Sequence, residues 1–193
     1  NCQVLGNTAL NGGGLSASLS GTLNMTITNS TFNSNKAQNG AAIETSLFTI
    51  VDGGLIEIVN CSFSSNSVNY SSSSTYPAGV GTVYINGVPV RFSGLLSFDH
   101  NVGTGVALTG AEADFSQCTV LFESNEALNG GAVALLGAAS IVVDDQTVMQ
   151  FHNNYASIFG GAIYNLYLGA NIYTYANCFI HYSNYLIDPV DWN

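Results

Sequence analysis

The sequence predicts an all-β fold, a right-handed parallel β-helix (solenoid) of about six to seven coils with about three short strands in each coil. Three observations carry this prediction. An aromatic residue followed three positions later by Asn recurs along the chain, a Gly-rich element follows most copies, and no stretch has the 3.6-residue apolar period of a helix. Short apolar runs separated by Gly, Asn, Asp or Ser are typical of strands and turns.

The first element of the repeat is the Phe-x-x-Asn motif, whose phenylalanines are 31, 35, 24 and 29 residues apart. We expect the phenylalanines to stack inside the cylinder and the asparagines to turn the chain inward and form an amide ladder, with coils about 4.8 Å apart. The full copies are Phe32 with Asn35, Phe63 with Asn66, Phe98 with Asn101, Phe122 with Asn125, and Phe151 with Asn154, and Val4 with Asn7 is a degenerate copy.

The second element is a glycine corner, found as "NGGGL", "NGAAI", "NGGAV" and "FGGAI". Its first glycine permits a positive φ or a close approach of two backbones, which other residues resist. These glycines are Gly12, Gly40, Gly130 and Gly160. The third copy carries the insertion "SVNYSSSSTYPAG" and the fourth is shortened, so length varies at one corner of the repeat, as expected of a loop.

Residues 1–184 are predicted to form one repeat domain and residues 185–193 a C-terminal cap or the start of a linker. The ending "NCFIHYSNYLIDPVDWN" is expected to fit no further coil. Its Trp192 either folds over the core or joins an aromatic patch that contacts a glycan, a partner or a neighbouring chain.

The charge of the chain excludes some partners. Two basic residues stand against twelve acidic ones, for a formal charge of −10, and nucleic acids and anionic membranes are bound by clustered Lys and Arg. The chain has no run of about eighteen consecutive apolar residues, so we predict no membrane insertion.

Sequons at Asn24, Asn29, Asn60 and Asn69 are candidate glycosylation sites and favour a secreted glycoprotein.

The coupled motifs resemble the repeats of the chlamydial polymorphic outer-membrane proteins, and similar repeats occur in eukaryotic extracellular proteins. The resemblance extends over residues 1–184. It implies a right-handed parallel β-helix that is exposed at a cell surface or in a matrix, with adhesion as its role. We therefore expect a non-enzymatic extracellular module whose partners are copies of itself, other surface or matrix proteins, or glycans.

Two alternatives stay open. A carbohydrate-processing or carbohydrate-binding β-helix would need clustered carboxylates and basic groups, but Asp144 and Asp145 are consecutive strand residues that point to opposite faces. Lys36 and Arg91 lie in different coils, and no residue is assigned as catalytic. An ice-binding protein would need rows of Thr-x-Thr, and "TIT" occurs once, at 26–28. The segment "NGGAV" lacks the Lys and the helix of a phosphate-binding loop.

One outward column contains carboxylates. The position after the motif Phe reads Asp99, Glu123 and His152 in three successive coils. A Ca²⁺ ion held there would relieve the repulsion between the two acids, and the alternative is that both carboxylates lie in water beside His152. No other cofactor is predicted, and His100 is expected to be an isolated surface residue.

The cysteines divide into two pairs. Cys61 and Cys118 share the inward face two coils apart, too far for a disulfide, and are expected to be buried free thiols. Cys2 and Cys178 lie at opposite ends of the rod. They could meet between chains stacked head to tail, which would make a covalent filament.

Overall fold

The computed structural model describes residues 1–20, 24–49, 54–69, 81–166, 171–174 and 179–186. Regular structure in these residues is all β, and none of it is a helix long and apolar enough to cross a membrane. The strands are β1 (Gln3–Leu5), β2 (Leu15–Ser20), β3 (Asn24–Thr28), β4 (Thr31–Asn33), β5 (Lys36–Ala37), β6 (Ile43–Thr49), β7 (Leu55–Val59), β8 (Ser62–Ser64), β9 (Ser67–Val68), β10 (Gly81–Asn86), β11 (Val90–Asp99), β12 (Thr104–Thr109), β13 (Glu112–Glu123), β14 (Glu126–Asn129), β15 (Val133–Leu136), β16 (Ser140–Val143), β17 (Val148–Phe159), β18 (Ile163–Asn165), β19 (Asn171–Thr174) and β20 (Phe179–Leu186).

Each strand pairs in parallel with the strand at the same place in the next repeat. The motif strands follow the order β1, β4, β8, β11, β13, β17 and β20. Parallel neighbours cannot be joined by a hairpin, so the chain must cross over before it returns to the sheet. The other strands of each repeat make that crossing and pair with their own counterparts.

The strands form two large sheets and one small one. A 12-stranded sheet holds the motif strands and the apolar strands that precede them, and a 6-stranded sheet holds the strands after the glycine corner. Strands β5 and β9 form a separate pair between them. Alternate residues are buried, as in the "iBiBi" pattern of β7, because successive side chains point to opposite faces of a strand.

The register aligns the inward residues into columns. Phe32, Phe63, Phe98, Phe122 and Phe151 are directly opposite one another in successive strands. In the 6-stranded sheet, Ile43, Val83, Val106 and Val133 form a second buried column. Identical side chains at identical positions let every repeat reuse the same packing.

The C-terminal ending departs from the prediction. Strand β20 pairs in parallel with β17 and places Tyr182 opposite Phe151, so Phe179–Leu186 continues the repeat. The prediction that this ending fits no further coil was wrong, because Tyr182 takes the place of the motif Phe and hides the repeat from a search for Phe-x-x-Asn. Trp192 and Cys178 lie outside the described residues.

Candidate functional site

The motif phenylalanines form an aromatic stack in the core. Ring centroids are 5.2, 4.8, 4.8 and 5.2 Å apart along the column from Phe32 to Phe151, and the rings are tilted by at most 16°. A second stack joins Phe92 to Phe115 at 4.6 Å. These side chains are buried, so they serve packing rather than ligand binding.

The motif asparagines form a buried amide ladder. Asn66 shows the pattern, because its main-chain N–H and its Nδ2 both donate to Oδ1 of Asn101, at 2.9 and 3.1 Å. The same Nδ2 donates backward to the carbonyl of Phe32 at 3.0 Å. The bonds recur from Asn35 to Asn66, from Asn101 to Asn125 and from Asn125 to Asn154.

The chain turns one residue before each of these asparagines. Positive φ falls on the residue that precedes the Asn, and the asparagines of the ladder are absent from the left-handed set. The turn we expected at the Asn itself is therefore displaced by one position, and the Asn side chain holds the corner rather than making it. The left-handed residues are Gly6, Ser34, Ser65, His100, Ser124 and Asn153.

The glycine corners are positions where a side chain does not fit. Gly12, Gly40, Gly130 and Gly160 have φ of +55°, +56°, +60° and +63°. A Cβ at each would lie 2.2 Å from the carbonyl oxygen of the residue three positions later. Both the torsion and the contact explain why the repeat has Gly there.

The outward column predicted to hold a metal is in register. Asp99 lies opposite Glu123, and Glu123 lies opposite His152. Asp99 has another partner, since its Oδ1 is 2.5 Å from Nδ1 of His100, so His100 is not the isolated residue we expected. Within the described ranges, no three His, Cys, Asp or Glu side chains form a group that could hold a metal ion.

Arg91 lies between two carboxylates on an outward column of the 12-stranded sheet. Its Nε is 3.1 Å from Oδ2 of Asp114 and its Nη1 is 3.7 Å from Oε1 of Glu57. All three side chains are about a third to a half exposed, so each pair adds little to stability. Lys36 is exposed in a different strand, β5, and the two basic groups do not cluster.

Asp144 has a structural role in a corner. Its Oδ2 accepts the N–H of Gln117 at 3.0 Å, and its Oδ1 accepts the N–H of Gln146 at 3.2 Å and the hydroxyl of Thr147 at 2.7 Å. A carboxylate with these three donors holds the turn of its own repeat against the preceding repeat, which contains Gln117. The adjacent Asp145 is exposed.

Glu44 is a buried carboxylate that the sequence pattern did not identify. It lies on the outward column of the 6-stranded sheet, between Ser16 and Tyr84. The Ser16 hydroxyl donates to its Oε2 at 2.7 Å. Burial raises the pKa of the neighbouring Tyr84 phenol, and the Glu44 charge adds to that rise. Because outward positions are usually exposed, the alternation of the strand gave no signal for this burial.

The four sequon asparagines are exposed. Asn24 accepts the N–H of Leu55 at 3.2 Å through Oδ1, and Asn60 accepts the N–H of Leu95 at 2.8 Å in the same way. Asn29 and Asn60 occupy equivalent corners of successive repeats, both with positive φ.

An open groove of about 520 Å³ runs past Asn29 and Asn60. Its walls include Ser97, Thr119 and Leu121, and Leu95 projects from it. Sequence reasoning missed this groove. The available signal was Gly94, where the register between β11 and β13 shifts and the chain adopts a φ of +73°.

The cysteines described by the structure are free thiols. Cys2 is exposed, whereas Cys61 and Cys118 are buried. Burial raises the pKa of Cys61, and it raises the pKa of Cys118 to about 11. Both thiols stay protonated at neutral pH, which makes them poor nucleophiles and poor metal ligands.

Comparison with known proteins gives one family match. Residues 149–166 match the Chlamydia polymorphic membrane protein (Chlamydia_PMP) repeat, which confirms the resemblance over that segment. The segment contains Phe151, Asn154 and Gly160, so it spans the stack, the ladder and the glycine corner. No significant match was found among curated proteins or among solved structures.

Proposed function

We propose that the chain is a right-handed parallel β-helix of about six to seven coils that acts as a non-enzymatic structural or adhesive module at a cell surface or in an extracellular matrix. The hand is the one that parallel crossover connections almost always take. The observation that carries the proposal is the difference between the inward and corner positions of each repeat and its outward positions. Phe, Asn and Gly face inward or form corners in one constant pattern, while the outward positions vary from repeat to repeat.

The location is supported by the family match. The repeat that matches residues 149–166 is named for a membrane protein of Chlamydia. A rigid stack with few charged side chains, carrying candidate glycosylation sites on exposed asparagines, suits a surface outside the cell. Accessibility of the protein to an added protease on intact source cells tests this location, and full protection would contradict it.

The non-enzymatic part of the proposal is supported by how the acidic groups are engaged. Asp144 is bonded to three donors in a corner, and Arg91 is bonded to carboxylates rather than left open to an anionic sugar. Polysaccharide cleavage would need two free carboxylates or a basic cluster at one place. Reducing ends released from neutral or acidic polysaccharides by the purified protein would overturn this part.

We further propose that no resident metal is required. The Asp99 carboxylate that lies opposite Glu123 already has a hydrogen-bond partner in His100 and does not need a cation as its partner. The melting temperature should therefore not change with added Ca²⁺. A rise in melting temperature that disappears in Asp99→Asn or Glu123→Gln would restore the calcium site.

Self-association end to end is the second component of the proposal. Within the described part of the chain, β1, β2 and β3 each pair with one strand only. A strand with one partner can pair with a strand of a second copy along its other edge. Cys2 is exposed at this end and would pair with Cys178 of a second copy. Sedimentation at rising concentration, with and without reductant, tests this association, and Cys2→Ser should abolish any covalent dimer.

Adhesion itself is tested with immobilised protein. Beads coated with the purified chain should retain cells or matrix material above the level of beads coated with an unrelated acidic protein. Retention equal to that background would refute the adhesive role.

A further inference from the structure

We propose that the groove beside Leu95 is a binding site for a neutral glycan chain carried by another molecule. This inference deepens the proposed adhesive function and rests on it, because it names the ligand class that the surface would hold.

The groove follows the axis of the stack. One wall is the outward column Thr31, Ser62, Ser97 and Leu121, whose members are opposite one another in successive strands. Four strands about 4.8 Å apart give a groove roughly 14 Å long. A groove of this length and of about 520 Å³ takes an oligosaccharide segment rather than a single small ion.

The chemistry of the lining is neutral. The side chains that line the groove are Asn, Ser, Thr, Leu and Cys, with no charged residue among them, in a chain whose formal charge is −10. Amides and hydroxyls both donate and accept hydrogen bonds, which matches the hydroxyl groups of a sugar. An anionic polysaccharide would find no cation here, and the overall charge would repel it.

Leu95 supplies the apolar contact. It is 71% exposed, the largest exposed fraction among the large apolar side chains that the structure describes as exposed. The cause is local, because the register shift at Gly94 changes the pairing and Oδ1 of Asn60 accepts the Leu95 N–H at 2.8 Å. Gly94 is required for this, since a Cβ there would lie 2.1 Å from Oδ1 of Asn60. Leu95 is thus held outward, where it can contact the C–H face of a sugar ring.

A second source of the same chemistry is the N-linked glycan of the chain itself. Asn29 and Asn60 border the groove and both belong to sequons. A glycan on Nδ2 of Asn60 would keep the Oδ1 bond to Leu95, so the geometry permits it. Protein made without N-linked glycans separates this occupant from a glycan on another molecule.

The experiment uses the full chain made in bacteria, which carries no N-linked glycan. Cellotetraose and chitotetraose are titrated calorimetrically, with tetragalacturonic acid as the charged comparison. At least one neutral tetrasaccharide should bind, the charged one should not, and Leu95→Ser should weaken binding at least tenfold. Leu10→Ser is the matched control, because Leu10 is also an exposed leucine (63%) and lies outside the groove.

A second variant guards against misfolding. Ser97→Trp fills the groove without removing Leu95, and it should also abolish binding while the melting temperature stays within a few degrees.

Absence of binding to both neutral probes, or an equal loss of affinity in Leu95→Ser and Leu10→Ser, overturns the inference. Loss of tetrasaccharide binding when the chain is made with a glycan at Asn29 or Asn60 also overturns the inference, since the groove is then occupied by the chain's own glycan. Cell retention without sugar binding would refute the groove alone, whereas sugar binding without cell retention would refute the adhesive function.

Discussion

Asn66 donates to Oδ1 of Asn101 twice, from its main-chain N–H at 2.9 Å and from its Nδ2 at 3.1 Å. Asn101 in turn uses its own Nδ2 to donate to the carbonyl of Phe63 at 3.0 Å and to Oδ1 of Asn125 at 2.8 Å. Both asparagines are fully buried, so these bonds replace water at a corner where the backbone N–H of Asn66 would otherwise lack a partner. The ladder therefore joins three repeats through one side chain.

Asn101→Ala should be strongly destabilising. It leaves the buried N–H of Asn66 without its partner, and one such group costs roughly 1–3 kcal/mol in the free energy of unfolding. Urea denaturation measures this loss. Asn39→Ala is the control, because the Asn39 Nδ2 bond to Asn11 Oδ1 at 2.9 Å is exposed. Similar losses in the two variants would show that burial of the ladder contributes nothing.

Phe98 lies between two rings, each at 4.8 Å. Phe98→Ala should cost about 3–5 kcal/mol in unfolding free energy, because it opens a cavity in the aromatic stack. Phe159→Ala is the matched control: Phe159 stacks on Tyr164 at 5.9 Å but is 58% exposed. That variant should lose less than about 1 kcal/mol. Thermal denaturation of the two variants tests the contrast, which would be absent if the stack were loosely packed.

Two glycines separate the cost of the torsion from the cost of the contact. Gly110 has a φ of +55° and open space around a Cβ, whereas Gly130 has a φ of +60° and a Cβ that would lie 2.2 Å from the Val133 carbonyl oxygen. Gly110→Ala should cost about 1–2 kcal/mol for the left-handed conformation alone. Gly130→Ala should cost at least about 1 kcal/mol more, because the backbone must also move. Equal losses of unfolding free energy in the two variants would contradict the predicted clash between the added Cβ and the Val133 carbonyl oxygen.

Much of the fold could be predicted because the repeat in the sequence indicates which residues lie opposite each other in neighbouring strands. In an ordinary sheet the pairing of strands is hidden from the sequence, but here identical residues at one period lie opposite each other, as Phe63 and Phe98 do. The all-β, parallel arrangement follows from that period and from the absence of helical spacing. The repeat at Phe179–Leu186 was missed because Tyr182 stands where the motif has Phe. In addition, the register between β17 and β20 shifts between His152 and Tyr155.

The surface could be predicted less well, because outward residues obey no common constraint. The pairing of Asp99 with His100 depends on a left-handed corner, and the burial of Glu44 depends on its neighbours. The groove lies beside a register shift at Gly94, which a pattern of alternating residues does not encode. Its lining residues look like ordinary polar surface until the columns are aligned.

The buried thiols make the stability of the fold depend on pH in the alkaline range. Burial raises the pKa of Cys118 from 9.0 to about 11, with Thr147 as its hydrogen-bond partner. Below pH 9 the thiol is protonated in both the folded and the unfolded chain, so its stabilising effect is fully present. Between about pH 9 and 11 the unfolded chain ionises first, and the unfolding free energy should fall by up to roughly 1.4 kcal/mol per pH unit.

Cys118→Ala should flatten this fall, so the measurement is the difference in unfolding free energy between the parent and the variant from pH 8 to 11. Comparing the two chains removes the ionisation of the groups that both share, including Tyr84 and Cys61. Cys2→Ala is the control, because Cys2 is exposed and its loss should leave the slope unchanged. A thiol reagent at pH 8 should modify Cys2 within minutes and Cys118 only after urea is added, because the buried thiol is both protonated and inaccessible. Rapid modification of Cys118 in the native chain, or a slope in Cys118→Ala as steep as that of the parent, would show that this thiol is not held in the core.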